Sequence, residues 1–168
     1  MNTYDCIPQF AKMLKNLDGW LVKASDHATI KKFEIDTLAH ARLAPDQYSL
    51  VKQVQAACDS AKFSAAYLSG KEAQAHPDNE TTIAQLRERI QKCASFLETV
   101  TPKDFEGADE RKVAPKWLQG KWMRGDQYLT QAGIPNFYFH VTTAYQILRH
   151  NGVDVGKMDF IGSMPLQG

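Results

Sequence analysis

The chain has 168 residues, of which 43% are hydrophobic and 23% are charged, and its formal net charge is +1. This length suits one domain with a single core, which we predict to span residues 1–168. Because the net charge is close to zero and the basic residues are spread along the chain, composition argues against nucleic acid and anionic membranes as partners.

The first part of the chain contains one clear predicted helix and one stretch that is harder to interpret. Residues 4–24 place apolar residues such as Phe10, Leu14 and Leu17 at three- and four-residue steps, which indicates an amphipathic helix. Residues 25–45 fit either a short helix or a long connection. The sequence leaves these two alternatives open.

A second helix is predicted over residues 46–69, after a break at Pro45. Its apolar seam consists of Val51, Val54, Cys58, Ala61, Ala65 and Leu68. Because several of these side chains are small, they imply a close helix neighbour, and Gly70 ends the helix. A third helix is predicted over residues 81–100.

The segment between the third and fourth helices differs from the helical segments. Residues 112–118 and 121–124 each contain one tryptophan and flank a Gln-Gly turn, a pattern typical of a small β-hairpin. Trp117 and Trp122 either line a pocket or fix the hairpin to the helices. We expect the second of these roles.

The fourth helix is predicted over residues 136–150. Pro135 fits the first turn of a helix, and Asn151 and Gly152 are typical of a helix end. The irregular tail carries three apolar residues that can pack against the helices: Met158, Phe160 and Ile161. Four amphipathic helices bury their apolar faces most simply together. We therefore predict an all-α four-helix bundle with a small β-hairpin between helices three and four.

Nothing in the sequence predicts a membrane-bound or secreted protein. No apolar run approaches the roughly 20 residues that span a bilayer, and Asp5 and Pro8 lie where a signal peptide would carry its apolar run. The three cysteines are far apart, which is typical neither of a disulfide framework nor of a metal site. We therefore expect a cytoplasmic protein.

Among the five histidines, His140 has the position that most suggests a function. On a helical wheel of about 100° per residue it lies on the shoulder of the apolar face of the fourth helix, one turn after Asn136. Two interpretations stay open. His140 is hydrogen-bonded inside the bundle, or it binds a ligand or acts as a general base.

The spacing of the histidines argues against a metal pair on this helix. Two histidines four residues apart can hold one ion, but Ala144 follows His140 at that spacing and Asp154 follows His150. Ligands from separate helices stay an alternative. We predict no resident metal and no other cofactor.

The second helix supplies polar side chains beside its apolar seam. Gln55, Asp59 and Lys62 lie on one flank, and Asp59 and Lys62 have the spacing of a helical ion pair. This flank is either a solvated surface or part of a site. Cys58 lies in the seam, so we expect a small core residue and not a nucleophile.

Parts of the chain resemble an uncharacterised bacterial family of about this length. The stretches that carry the resemblance are ARLAPDQYSLVKQVQAACDSAK, DNETTIAQLRERI and PNFYFHVTTAYQILRHNGVDVGKMDFIG. The family is a domain of unknown function related to the DinB/YfiT-like metalloenzyme superfamily, and the resemblance covers nearly the whole chain. It implies a four-helix bundle that is usually dimeric.

The resemblance also implies where a metal site would lie. Metal-binding members of the superfamily use three histidines, one on helix two and an H-x-x-x-H pair on the last helix. The helix-two position falls at Ala56 or Ala57 in this chain, and the final pair reads His140 and Ala144. At most one ligand of three is retained, so the resemblance supports the fold and weakens the expectation of a metalloenzyme.

Together these observations predict a DinB/YfiT-like protein that binds or transforms a small molecule between helices two and four, with the three-histidine site largely lost. The alternative is a non-catalytic structural or interaction protein whose site has decayed, and whether the protein is an enzyme stays open. If a site survives, we predict His140 as its catalytic residue. The predicted ligand-binding residues are Gln55, Asp59, Lys62 and Asn136.

We also expect a homodimer. The family resemblance implies it, and the fourth helix carries aromatic residues around most of its circumference, at Phe137, Tyr138, Phe139 and Tyr145. A helix that is apolar on most faces needs neighbours on most faces, and one chain does not supply them all.

Overall fold

Four long helices dominate the computed structural model, which describes residues 3–167. The first three are α1 (Cys6–Lys31), α2 (Leu50–Ser69) and α3 (Ile83–Glu98). The last one has three consecutive parts, namely α4 (Gly125–Tyr128), a π-helical segment (Leu129–Gly133) and α5 (Ile134–His150). In the described part of the chain, no helix combines the length and the apolar character that a membrane span requires.

Short elements connect and follow the long helices. Strands β1 (Lys112–Val113) and β2 (Met123–Arg124) pair antiparallel between α3 and α4, and α6 (Lys157–Ile161) lies near the carboxyl end. Short 3-10 helices occupy Thr3–Asp5, Ile35–His40, Pro102–Phe105, Ala108–Glu110 and Lys116–Leu118. The predicted all-α bundle with a small hairpin before its last long helix is confirmed.

The four long helices form a square in cross-section. α1 packs against α3 and α5, and α2 packs against the same two helices, so α1 and α2 lie diagonally opposite. The connections 32–49 and 99–124 therefore both cross a diagonal, whereas 70–82 joins two neighbouring helices. Because a diagonal step needs a long connection, residues 32–49 and the hairpin region lie outside the long helices.

The core consists of the apolar faces that the sequence pattern indicates. Ala57, Ala61 and Cys58 on α2 are fully buried, and these small side chains let α3 and α5 approach closely. A hydrogen bond with Cys93, followed by burial, raises the pKa of the Cys58 thiol well above its ordinary value. The prediction that Cys58 is a small core residue is confirmed.

Three helix boundaries differ by more than two residues from the sequence prediction, and the largest difference is in the last long helix, which the sequence predicts to start at residue 136 and which starts at Gly125. α1 continues to Lys31 because Ala28, 3% exposed, extends its buried face by a further turn. It ends at Lys32, whose left-handed backbone (φ 59°) lets the N–H donate to the carbonyls of Ala28 and Thr29. α2 begins only at Leu50, and the residues before it belong to the diagonal connection.

The expectation that the two tryptophans fix the hairpin to the helices is wrong. Trp117 is 61% exposed and Trp122 is 53% exposed, whereas Val113 on β1 is 1% exposed. The hairpin therefore buries an aliphatic side chain and leaves both indole rings at the surface.

The tail packs against α1 through one of the three apolar residues that the sequence offered. Phe160 stacks on Trp20, with ring centroids 5.5 Å apart, and meets Tyr145 edge-on at 5.6 Å. The indole N–H of Trp20 donates to the carbonyl of Asp159 at 3.1 Å, which satisfies a buried donor. Met158 stays 63% exposed.

Candidate functional site

A cleft of about 1040 Å³ lies between α2 and the last long helix, beside the hairpin. This volume is at the upper end of the range for small-molecule sites. Five of its lining side chains are aromatic, namely Tyr48, Phe63, Tyr67, Trp117 and Tyr128. Its polar lining consists of Lys52, Gln55, Asp59, Ser60, Asp78, Lys116, Gln131 and Asn136. The cleft therefore combines several aromatic rings with several hydrogen-bonding groups.

The π-helical segment forms part of the wall opposite α2. Its defining bond runs from the N–H of Ile134 to the carbonyl of Leu129, five residues earlier. Pro135 has no N–H to donate, so regular α-helical bonding is interrupted here. Ser60 on α2 donates its hydroxyl to the carbonyl of Gly133 at 3.3 Å. Segments of this kind are rare and occur frequently at functional sites.

Arg89 of α3 organises the charged side chains at one end of the cleft. It is 2% exposed. Its Nη1 donates to Asp78 Oδ1 at 2.9 Å and to Glu80 Oε1 at 3.1 Å, and its Nη2 donates to Asp59 Oδ1 at 2.9 Å. One buried guanidinium thus ties α2 to the connection 70–82. Because Asp59 and Asp78 line the cleft, this tie also fixes the shape of its end.

Asp59 and Lys62 form the ion pair that their spacing predicts, with Lys62 Nζ 2.9 Å from Asp59 Oδ1. The pair is not on a solvated surface, since the Lys62 side chain is 1% exposed. Lys62 Nζ also lies 3.1 Å from His76 Nδ1, and because an ammonium group only donates, the imidazole nitrogen accepts. Burial, and then the positive charges of Lys62 and Arg89, lower the pKa of His76.

Gln55 is the buried amide that reaches the cleft. It is 2% exposed, and its Nε2 donates to Glu80 Oε2 at 2.8 Å. Burial alone would raise the pKa of Glu80, but hydrogen bonds from Gln55, from the backbone and from Arg89 outweigh it and hold the pKa below its ordinary value. The carboxylate fixes the orientation of the amide, and Gln55 Oε1 then has no hydrogen-bond partner among residues 3–167.

His140 lies inside the bundle, where it is 8% exposed. Its Nδ1 is 2.8 Å from Gln53 Oε1, and the amide of Gln53 in turn donates to the carbonyl of Tyr48 at 3.2 Å. His140 Nδ1 therefore carries the proton in this bond. Its ring is nearly parallel to that of Tyr48, with centroids 6.3 Å apart. Burial lowers the pKa of His140, so the ring is neutral near pH 7.

Residues 4–161 match the model of a domain of unknown function, DUF1993. The chain belongs to the DUF1993 family. A crystal structure of a DinB family member protein from Shewanella denitrificans is 46% identical to this chain, with a TM-score of 0.94, and the match covers 98% of this chain and 94% of that one. No curated protein matches the chain. The resemblance to a family of unknown function related to DinB-like proteins is therefore confirmed.

The cleft of the DUF1993 chain brings together three of the five residues predicted for a site. Gln55, Asp59 and Asn136 line it. Lys62 lies beside a second cavity of about 520 Å³, which it shares with His76. His140 does not line the cleft, and its ring lies 6.3 Å from that of Tyr48, which does. The catalytic role of His140 stays a prediction.

Sequence reasoning missed Arg89, which holds the charged cluster together. A signal was present, because Arg89 lies three residues after Leu86 and next to Ile90, within the apolar face of α3. A charged residue on the buried face of a helix must find hydrogen-bond or ion-pair partners inside the protein. The acidic residues Asp78 and Glu80, just before α3, were the candidates.

The residues of this DUF1993 chain do not fit the three-histidine ion that the sequence resemblance implies. His140 offers one imidazole, and a single histidine does not supply the three protein ligands of such a site. The other two positions hold alanine, and both Ala57 and Ala144 are fully buried. Among the described residues, no three or more histidine, cysteine, aspartate or glutamate side chains are grouped so that they could hold a metal.

Replacing His140 with glutamine should lower the free energy of unfolding by about 1–3 kcal/mol, because the change disturbs a buried hydrogen bond. The folded pKa of His140 lies below the unfolded value of about 6.5. The stability that the neutral ring contributes is therefore fully present above pH 6.5 and declines as the pH falls below it. The difference between wild type and His140→Gln should accordingly shrink from pH 7.5 to pH 5.5 in urea unfolding curves.

His150→Gln is the matched control, since His150 is exposed in the last turn of the same helix. We expect it to change the stability much less than His140→Gln does, because the His150 side chain is exposed. A difference for His140→Gln that is constant over the whole pH range would contradict the assignment of a neutral buried imidazole.

Proposed function

We propose that this DUF1993 protein binds a small molecule in the cleft between α2 and the last long helix. The observation that carries the proposal is Gln55, a buried side chain of the cleft lining whose carbonyl oxygen lacks a partner in the described part of the chain. An unsatisfied buried acceptor costs about 1–3 kcal/mol. A ligand that donates to it recovers that cost. The π-helical segment in the opposite wall supports the same location.

We propose further that binding is independent of a metal in the superfamily position. The donor set supports this, since two alanines stand where two of the three histidines would be and His140 is left as the single imidazole. Gln55, Asp59 and Asn136 are the proposed ligand contacts. Whether the ligand is also transformed depends on His140, which is buried and does not itself line the cleft.

A second candidate is a structural or interaction protein whose site has decayed. The hydrogen bonds between His140 and Gln53 and within the cluster around Arg89 favour it, because most of these polar groups already satisfy one another. This second candidate leaves two atoms of this region, Gln55 Oε1 and Arg89 Nε, without a partner among the described residues.

Two finer expectations from the sequence stay proposals. A homodimer is supported by Phe139, which is 56% exposed on the long α5. Light scattering at micromolar concentration should give twice the mass of 18.9 kDa, and a single species at the monomer mass would overturn the proposal. A cytoplasmic location is supported by three free cysteines, all of them buried.

A thermal-shift screen with a cleft-filling variant tests the main proposal. We expect compounds that stabilise the wild type, by about 2.7 kcal/mol at 100 times the dissociation constant, to lose their effect in Ala56→Trp. Ala56 lines the cleft from α2. Ala84→Trp is the matched control, because Ala84 is an exposed position of α3. No stabilising compound, or compounds that stabilise Ala56→Trp equally well, would favour the structural candidate.

A further inference from the structure

The geometry points to a chemical class for the ligand of the cleft: an aromatic ring compound that carries an uncharged N–H or O–H donor, as phenols and indoles do. This inference rests on the proposed function and makes it more specific. It combines the arrangement of the aromatic side chains, the unpartnered acceptor of Gln55 and the charge balance around Arg89.

Aromatic side chains form a continuous surface along the cleft. Phe63 and Tyr67 stack one turn apart on α2, with centroids 6.0 Å apart, and Tyr67 meets Tyr128 edge-on at 5.7 Å. Burial raises the pKa of both tyrosines, so their hydroxyl groups are uncharged at neutral pH. Such a surface favours a flat apolar body, because aromatic pairs gain free energy from ring geometry beyond the area that they bury.

Two further aromatic residues line the cleft with most of their surface exposed. Tyr48 is 57% exposed and Trp117 is 61% exposed. Large aromatic side chains that remain in solvent beside a concave surface are typical of binding sites. Trp117 can cover one face of a bound ring, whereas Trp122, on the same hairpin, does not line the cleft.

The donor requirement comes from Gln55. One N–H of its amide donates to Glu80 at 2.8 Å, and its carbonyl oxygen has no partner among residues 3–167. A carbonyl oxygen only accepts hydrogen bonds, and so the ligand must donate. A ring compound without an N–H or O–H group would leave this acceptor unsatisfied.

The charge balance argues for an uncharged donor. The cluster beside Gln55 contains three cations and three carboxylates, which cancel: Lys52, Lys62 and Arg89 against Asp59, Asp78 and Glu80. An ammonium group would meet no excess of negative charge there, and an anion would meet no excess of positive charge. A phenol or indole donor satisfies the acceptor without the desolvation of an ion.

Matched probes test this class directly. The protein is labelled with 5-fluorotryptophan, which places one fluorine at each of Trp20, Trp117 and Trp122. We expect indole and phenol to shift the ¹⁹F signal of Trp117 and to leave that of Trp20 unchanged. 1-Methylindole and anisole, which lack the donor, should bind at least about fivefold more weakly. Cyclohexanol keeps the donor but lacks the ring, and it should also bind more weakly.

Substitutions provide the second arm. Trp117→Ala should weaken phenol binding severalfold in calorimetric or NMR titrations, and Trp122→Ala should leave it unchanged. Binding of 1-methylindole as tight as that of indole, or of cyclohexanol as tight as that of phenol, would overturn the inference.

Different results would contradict the proposed ligand class and the proposed binding site. If a non-aromatic compound stabilises the wild type and loses its effect in Ala56→Trp while phenol and indole do not bind, the ligand class is wrong and the cleft is still a binding site. If no compound of any class depends on Ala56, the proposed function fails as well.

Discussion

Replacing Arg89 with methionine should lower the free energy of unfolding by about 3–5 kcal/mol. The guanidinium is almost fully buried and bonds to three carboxylates from two parts of the chain. Without it, Asp59, Asp78 and Glu80 lie together with less compensating charge, and burial of unpaired carboxylates is costly. Methionine fills part of the volume that the arginine side chain occupies. The expected loss of stability therefore comes mainly from the lost ion pairs and not from a cavity.

Arg87→Met is the matched control for this substitution. Arg87 lies two residues before Arg89, on the opposite side of the same helix, and bonds to Asp18 through Nε and Nη2 at 2.7 and 3.1 Å. Its side chain is 36% exposed, and exposed ion pairs contribute at most about 1 kcal/mol. Urea unfolding followed by circular dichroism should therefore separate the two variants by several kcal/mol. Equal losses would show that the cluster around Arg89 does not stabilise the bundle.

The loss in Arg89→Met should also depend on pH. The folded pKa of Glu80 lies below its unfolded value, so its contribution is fully present above the ordinary carboxylate range and disappears as the pH falls through the folded pKa. In the variant Glu80 keeps less of this depression, because Arg89 no longer donates to it. The difference between the two proteins should narrow between pH 6 and pH 3.

The second large effect is expected for Gly125→Ala, with a loss of about 3 kcal/mol. A Cβ at position 125 would lie 1.9 Å from the carbonyl oxygen of Ala108 and 2.9 Å from Leu68 Cδ2. The first neighbour is backbone, and it accepts a hydrogen bond from Arg111 N–H, so it cannot move without further cost. Gly125 begins the last long helix directly after β2, and a shift there also moves the hairpin that carries Trp117.

Gly19→Ala is the control for the general effect of this substitution. Gly19 is exposed within α1, and an added Cβ would meet nothing within 4 Å. Glycine is unfavourable inside a helix by roughly 0.5–1 kcal/mol relative to alanine, so this variant should be more stable than the wild type. If Gly125→Ala behaved like Gly19→Ala in thermal or urea unfolding, the close packing of Gly125 against Ala108 would be refuted.

The fold could be predicted from the sequence because each long helix needs only its own residues to define a buried face. Leu14, Leu17 and Leu21 on α1 repeat at helical spacing, and all three are fully buried. The π-helical segment could not be predicted, because Pro135 marked a helix start equally well. Only the packing of the preceding turn shows that the helix continues through it.

The candidate site could be predicted only where its contacts lie on one helix. The pair of Asp59 and Lys62 followed from a spacing of three residues, but the partners of Arg89 come from α2 and from the connection 70–82. A helical wheel shows which side chain points inwards and does not show what lies opposite. For the same reason His140 could be placed at the edge of the core, while its partner Gln53 could not be identified.

The π-helical segment has a consequence for insertions and deletions in this part of the chain. One residue corresponds to about 100° of rotation around an α-helix. Deleting one residue from Leu129–Gly133 would remove the extra residue of the π-helical segment and would turn Gly125 away from Ala108 while Phe137 stayed against Phe10. The extra residue thus sets the rotation about the helix axis between the buried face that carries Gly125 and the buried face that carries Phe137. A homologous chain could lose it only together with a rebuilt contact at the start of that helix.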